Sequence, residues 1–302
     1  MCTSLALPTA DGRHVFGRTL DLDEHFGERV ILTPRRFSFS FADCYPMSRH
    51  YALLGMAAVA DGYPLYADAM NEKGLCMAGL RFAESAAYSP RPQTGRLNLA
   101  PWELIPYLLG TCATVDEVRE ALKGICVVDK PFSDTVGTAP LHWHLVDADP
   151  AHGGLILEAT AAGMKLYDAT AGVLANEPPY PAQLSSMGEE LPGGYDSYAR
   201  FTRAAILRRW WMERGSACKE LEGGEDSGVA QFFSILGSVS PTAGAVMTAE
   251  GGCHRTLYTC CMDTGAGVYY YKREAELSVR SVGFDSCDRN GQELLCIGSI
   301  TG

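Results

Sequence analysis

The sequence predicts an α+β fold in which antiparallel sheets carry helices on their outer faces. Three observations lead there. Strand-like runs arrive in blocks, separated by blocks of helix, and not in the single βαβ alternation of a parallel doubly wound sheet. The chain opens with a hairpin pattern, residues 3–23 alternating polar and apolar on both sides of Asp11-Gly12. The loose polar segments 84–96, 177–195 and 216–227 have the composition of surface loops and not of linkers, which favours one domain over residues 1–302.

After the hairpin, the runs 51–59, 64–69 and 75–82 read as strands. A helix is predicted over 99–109, with Asn98 placed to cap it. Thr114 followed by Glu117 is a capping box that opens a second helix through Leu122. Strands 141–146 and 155–159 follow. A helix rich in Arg and Ala spans 199–213 with Trp210 and Trp211, and a further one spans 229–236. Strands 256–262 and 268–271 end the pattern. Asn71, in Met70-Asn71-Glu72-Lys73-Gly74, is a turn residue between two strands.

Composition narrows the function. Charged residues make up 20% and hydrophobic ones 47% of the chain, an ordinary globular balance. The formal net charge of −11 argues against nucleic acid as a partner, because phosphates call for Lys and Arg. Apolar runs long enough to span a membrane are not found. The opening MCTSLALPTADG lacks a basic start and a long apolar run, so a signal peptide is not expected and a cytoplasmic location is. The 11 cysteines contain no CxxC and only one close pair, Cys260-Cys261, so most are expected to be reduced and buried. His142 and His144 share a strand face around Trp143, but spacing supplies no third ligand, and neither metal nor cofactor is expected.

The chemistry concentrates at the start of the chain. Methionine is usually removed when the next residue is small, and Cys2 would then carry a thiol and an α-amine together. In an unperturbed peptide these groups titrate at about 8.5 and about 7.7–8.0, so the amine can take the thiol proton near neutrality. That places nucleophile and base in one residue. The hairpin returns Arg18 and Asp21 towards Cys2. A two-residue turn puts Cys2 opposite Asp21; a three-residue turn puts it opposite Leu20, with Arg18 on its face. Arg18 and Asp21 have opposite parity, so presenting both to Cys2 calls for a bulge or a strand end near Asp21. Arg18 would favour the thiolate, and Asp21 would orient the amine.

The block MCTSLALPTADGRHVFGRTLDLD resembles the start of the choloylglycine hydrolase family, which holds conjugated bile salt hydrolases and penicillin V acylases. Residues 66–75 (YADAMNEKGL), Leu141-His142-Trp143, residues 172–176 (GVLAN), Ala199-Arg200-Phe201, residues 257–262 (LYTCCM) and residues 268–271 (VYYY) extend the resemblance in the family's order. The resemblance implies the four-layer αββα sandwich of N-terminal-nucleophile hydrolases. It implies Cys2 as nucleophile with its α-amine as base, supported by Arg18 and Asp21. It implies Asn176 as a side-chain donor to the oxyanion, Arg200 beside the nucleophile, no cofactor, and a homotetramer. One position departs: after Gly79-Leu80 the family usually has asparagine or tyrosine, and this chain has Arg81. Arginine there can donate N–H groups, fill the pocket or pair with an anionic substrate tail.

The expected reaction is hydrolysis of an amide joining a bulky apolar acyl group to a small amine, with glycine- and taurine-conjugated bile salts as the first substrate class. A penicillin V or other N-acyl amide acylase is the alternative. A Cys2-type glutamine amidotransferase fits less well, since Thr3 stands where that group has glycine, and a non-catalytic binder of amphipathic acids is the remaining class. The acyl pocket is expected around Leu20, Phe26, Ala60, Tyr63, Phe82, Phe132 and Thr135, with Arg81 beside it. A small-molecule substrate, a homo-oligomer and no membrane partner complete the expectation.

Overall fold

The computed structural model describes residues 1–9, 12–214, 227–248, 251–274 and 276–297. Asp11, in the expected hairpin turn, and residues 216–226 of the expected loop lie outside the described residues. Strands β1 (Cys2–Pro8), β2 (His14–Leu22), β3 (Arg29–Thr33), β4 (Leu53–Ala60), β5 (Tyr63–Asn71), β6 (Cys76–Arg81) and β7 (Leu97–Leu99) come first. Helices α1 (Leu104–Thr111) and α2 (Val115–Leu122) follow, then β8 (Ile125–Val127), β9 (Leu141–Val146), β10 (Gly154–Thr160), β11 (Gly163–Asp168) and β12 (Val173–Leu174). Helices α3 (Tyr180–Ser186), α4 (Ser197–Arg214) and α5 (Ser227–Val239) precede β13 (Val246–Met247), β14 (Cys253–Asp263), β15 (Val268–Arg273), β16 (Arg280–Gly283) and β17 (Leu295–Ile297).

Two large antiparallel sheets result. The first runs β12-β1-β2-β14-β15-β16, with β13 on β14; the second runs β11-β10-β9-β6-β5-β4-β3-β17. Helices α4 and α5 pack on β1 of the first sheet, and α1 packs on β4, β5 and β6 of the second. The order of layers is therefore αββα. The apolar alternation explains it. Cys2, Ala6 and Phe16 of the first sheet join Leu54, Met56, Met70 and Leu80 of the second in one core. The opposite face of the second sheet, with Leu53, Met77, Trp143 and Leu157, packs with Leu104, Leu108, Val115 and Val118 of the helices. At about 25 cal/mol per Å2 of apolar surface, such two-sided burial is the main force holding the layers.

At Gly17 the backbones of β2 and β14 approach closely: a Cβ there would stand 2.1 Å from the Cys260 carbonyl oxygen. The Asn71 side chain accepts from the Lys73 and Leu75 N–H groups and donates to the carbonyls of Leu109 and Cys112, tying the turn to the end of α1.

Several expected elements shift. The helix expected over 99–109 starts at Leu104, behind a short 3-10 turn at Pro101–Glu103, because residues 97–99 pair as a strand with β8. Asn98 is not its cap; that side chain exchanges hydrogen bonds with Gln93 and donates to the Arg96 carbonyl, and Glu103 instead accepts from the Ala100 and Ala42 N–H groups. Thr114 does cap α2, accepting from the Glu117 N–H at 3.2 Å, while Glu117 reaches the Ala113 N–H. Helix α3 lies inside the segment 177–195 read as loop.

Candidate active site

The β1–β2 register pairs Cys2 with Leu20 and Pro8 with His14, which is the three-residue form of the turn. Arg18 therefore shares the face of Cys2, and its Nη2 donates to Cys2 Sγ. Arg18 as a whole is 1% exposed. Its Nε donates to the Thr19 carbonyl at 3.1 Å, and its Nη1 donates to the carbonyls of Gly79 and, at 3.5 Å, Ala67 on the facing sheet. Burial alone would raise the Cys2 thiol. The Arg18 guanidinium, the terminal ammonium and the Arg81 N–H outweigh burial and the opposing Asp21 field, and hold the thiol below its ordinary value. This is the environment of a nucleophilic thiolate.

Asp21 is arranged otherwise. Strand β2 runs regularly to Leu22, so the Asp21 carboxylate sits on the face away from Cys2 Sγ. It accepts from Thr19 Oγ1 at 3.2 Å and Thr256 Oγ1 at 2.7 Å. The irregularity is in the partner strand: β14 skips Leu257 between Thr256 and Tyr258. Contact between Asp21 and the terminus is through backbone, the Asp21 N–H donating to the Met1 carbonyl at 2.9 Å and the Met1 ammonium donating to the Asp21 carbonyl. Burial lowers the terminal amine, assisted by Arg200 and Arg18, while Cys2 and Asp21 raise it; the net shift is downward.

Asn176 and Arg200 complete the cluster. Asn176 follows β12, the edge strand beside β1, and its Oδ1 accepts from the Cys2 N–H at 2.8 Å. The same oxygen accepts from Arg200 Nη2 at 2.8 Å, and Asn176 Nδ2 donates to the Arg81 carbonyl at 2.8 Å. That bond uses one of the two amide hydrogens. Helix α4 brings Arg200 to the outer face of the first sheet, where its Nη1 donates to the Cys2 carbonyl and to Thr3 Oγ1. The backbone on both sides of the Cys2 Cα is thus pinned by Asn176 and Arg200, and the side chain by Arg18.

A cleft of about 490 Å3 opens at the chain terminus, lined by Met1, Leu22, Arg81, Asn176, Arg200 and His254 among others. Cys2 is 4% exposed, behind Met1. Of the residues expected to bind substrate, Arg81 lines this cleft. The others do not line it. Leu20 faces Cys2 across the hairpin but is buried. Phe82 is buried and stacked on His142 with ring centroids 4.3 Å apart. Tyr63 packs with Trp102 and Phe132 at 5.0 and 5.9 Å on the outer face of the second sheet, and Ala60 pairs with Tyr63 at the same hairpin end. Phe26 and Thr135 are exposed and outside the cleft. An apolar run gives the facing of a residue but not which loop end reaches the site. Leu22 and His254 were not anticipated: they arrive through the pairing of β2 with β14, which no local pattern announces. His142 and His144 point between the sheets, where they bond Glu158 at 3.3 Å and Ser4 at 2.9 Å.

No helix among the described residues is long and apolar enough to cross a membrane. The model of the linear amide C–N hydrolases, choloylglycine hydrolase family, matches residues 2–189 and 184–297. A bile salt hydrolase/transferase of Lactiplantibacillus plantarum is 33% identical, the alignment covering 98% of this chain and 96% of the relative. A conjugated bile acid hydrolase of Lactobacillus acidophilus is 32% identical over 98% of this chain and 99% of its own. Among solved structures, a conjugated bile acid hydrolase of Clostridium perfringens superposes with a TM-score of 0.89 at 28% identity, covering 99% of this chain and 97% of that one. With a buried thiol held against a guanidinium at the chain terminus and a family model spanning nearly all its residues, the chain belongs to the choloylglycine hydrolase family of linear amide C–N hydrolases.

Proposed function

We propose that the protein hydrolyses the amide bond of glycine- and taurine-conjugated bile salts, with Cys2 as an N-terminal nucleophile once Met1 is removed. The observation that carries this reading is the pairing of the Cys2 thiol with buried Arg18 while Asn176 holds the Cys2 nitrogen, in a chain whose full-length relatives are named for bile salts. Loss of Met1 takes away the residue that screens Cys2 from the cleft and frees the nitrogen as an amine, still within reach of Asn176 Oδ1.

The chemistry follows from that placement. The amine takes the thiol proton, and the thiolate, stabilised by Arg18, attacks the amide carbonyl. The second N–H of Asn176 and the Arg81 backbone N–H receive the developing oxyanion. The α-ammonium protonates the leaving amine as the C–N bond breaks. Water, deprotonated by the same amine, then releases the acid from the thioester. The Arg81 side chain, at the mouth of the cleft, pairs with the carboxylate or sulfonate of the leaving amine. One domain, a homotetramer and a cytoplasmic location belong to the same proposal, the tetramer being testable by light scattering.

Amine release measured side by side on glycocholate, taurocholate and penicillin V tests it. Turnover of both bile salts is the expected outcome. Activity on penicillin V alone sinks the bile salt reading, and retention of Met1 in the active protein, read from its intact mass, sinks the mechanism.

A further inference from the structure

Two β-bulges, one in each sheet, bring Tyr258 and Asp68 together. In β5 the extra residue is Ala67, for Met56 pairs with Asp68 and Ala57 with Tyr66. In β14 it is Leu257, for Thr256 pairs with Asp21 and Tyr258 with Leu20. A bulge reverses which face the following residues take, and bulges gather next to active sites. Tyr66 accordingly stays in the outer core while Asp68, 0% exposed, points between the sheets. Thr256 stays beside Asp21, while Tyr258 turns inward to Asp68.

Asp68 ends up with three donors on two oxygens. Oδ2 accepts from the Tyr258 hydroxyl; Oδ1 accepts from the Tyr269 hydroxyl at 2.7 Å and the Cys260 thiol at 3.3 Å. That is how an ionised carboxylate is solvated inside a protein. Burial outweighs the pull of Arg18 and the three donors, so the Asp68 carboxyl sits above its ordinary value. Burial works against the Arg18 charge, while Cys2 and Asp68 support it; Cys260, a donor to Asp68, pairs with Arg18 in the β2–β14 register. The carbonyl of Ala67, the bulge residue itself, accepts from Arg18 Nη1.

The hydrolytic cycle gives this arrangement a use. On acylation the C–S bond forms, the amide C–N bond breaks, and the α-ammonium proton leaves with the amine. Thiolate and ammonium are both neutral afterwards, and Arg18 faces an uncharged thioester sulfur. A buried guanidinium without an anion is strongly unfavourable. We propose that Asp68 is a positioning residue of the hydrolysis: acting through Arg18, it supplies the counter-charge that the guanidinium needs while Cys2 is acylated. The inference rests on the amide-hydrolase reading of Cys2.

Two readouts test it on the full-length protein, with Asp68→Asn and the smaller neutral Asp68→Ser. The groups bearing on Cys2 are Arg18, the terminal amine, Asp21 and the Arg81 N–H, with Arg200 on its carbonyl; Tyr258, Asp68 and Cys260 bear on Arg18. Removing the Asp68 charge leaves Arg18 to the thiolate alone. The pH profile of iodoacetamide labelling, mapped to Cys2, is therefore expected to move down by about one unit, so that labelling at pH 6 quickens about tenfold. Turnover is expected to fall about tenfold with KM within about threefold, since the acyl-enzyme and not substrate binding loses its counter-charge. A labelling profile that stays in place or moves up overturns the proposal, even with turnover reduced. If both variants unfold, the fault must be an uncompensated cation, and Arg18→Gln with Asp68→Asn must restore cooperative folding; continued unfolding overturns it. Wild-type protein inert towards bile salts, with the variant profile shifted, sinks the substrate reading and leaves this one standing.

Discussion

The nitrogen of Cys2 and the side-chain oxygen of Asn176 are 2.8 Å apart, although the two residues are 174 positions apart in the chain. The Asn176 amide thus faces two ways: its oxygen holds the nitrogen that would become the base, and its nitrogen donates to Arg81. Two substitutions separate these roles. Asn176→Ala removes both, and kcat is expected to fall about 100- to 1,000-fold, the loss of an oxyanion donor. Asn176→Asp keeps the acceptor but removes the donor. If it retains near wild-type kcat in steady-state hydrolysis, Asn176 serves only to hold the amine.

Against burial, Arg18 leads the groups that bring the Cys2 thiol below its ordinary value, so the sign of its removal is fixed. In Arg18→Gln burial acts unopposed by the guanidinium, the thiol rises, and thiolate is lost as pH falls from a higher starting point. The acid limb of kcat/KM is expected to move up by more than one pH unit, with a loss of at least about tenfold at pH 6. An unmoved acid limb in the pH–rate profile would show that Arg18 does not set the thiol.

Residue counting reached as far as the hairpin allowed. Parity put Arg18 on the Cys2 face for a three-residue turn and Asp21 opposite Cys2 for a two-residue one, and only the observed register, Cys2 with Leu20, chooses between them. The anticipated bulge lies in β14 and not in β2, because the strand that pairs with β2, bringing Thr256 to Asp21 across 235 residues, was invisible to the hairpin. The same limit hid Asp68. An aspartate among Tyr66, Ala67, Ala69 and Met70 is a buried charge in an apolar strand, itself a signal of function. Its partners Tyr258, Cys260 and Tyr269 come from the far end of the chain. Helix α3 escaped because Pro178-Pro179 reads as a break, whereas here Pro179 caps the helix start.

Arg81 stands on the exposed side of the cleft, so its pairing with a substrate tail is screened by water and modest in size. Arg81→Gln is expected to raise KM for glycocholate and taurocholate about three- to tenfold at low salt and to leave kcat within about twofold. The wild-type advantage should shrink as ionic strength rises. A kcat loss with unchanged KM, measured across a salt series, would place the Arg81 side chain at the oxyanion instead of the tail.

His144 makes the fold sensitive to acid independently of catalysis. Its Nδ1 is bonded to Ser4 Oγ at 2.9 Å, its ring meets Phe16 edge-on at 5.0 Å, and it is 0% exposed between the sheets. Burial, with Arg208, His142 and His14 nearby, pulls it down from 6.5 to about 3. The unfolded chain binds a proton below about 6.5 and the folded one does not until about 3, so the stability that neutral His144 provides is complete above 6.5 and drains away across that window. Between pH 7 and pH 5 the expected loss from this residue is about 2 kcal/mol. Ser4→Ala with His144→Leu removes the proton site and both ends of the hydrogen bond together, so no polar atom is stranded. Urea unfolding at the two pH values should then show a pH-dependent loss smaller by about 2 kcal/mol than in wild type. An equal loss in both proteins would assign the acid sensitivity to other groups, such as His14, which burial also lowers and whose ring lies 3.4 Å from the Asp147 carbonyl.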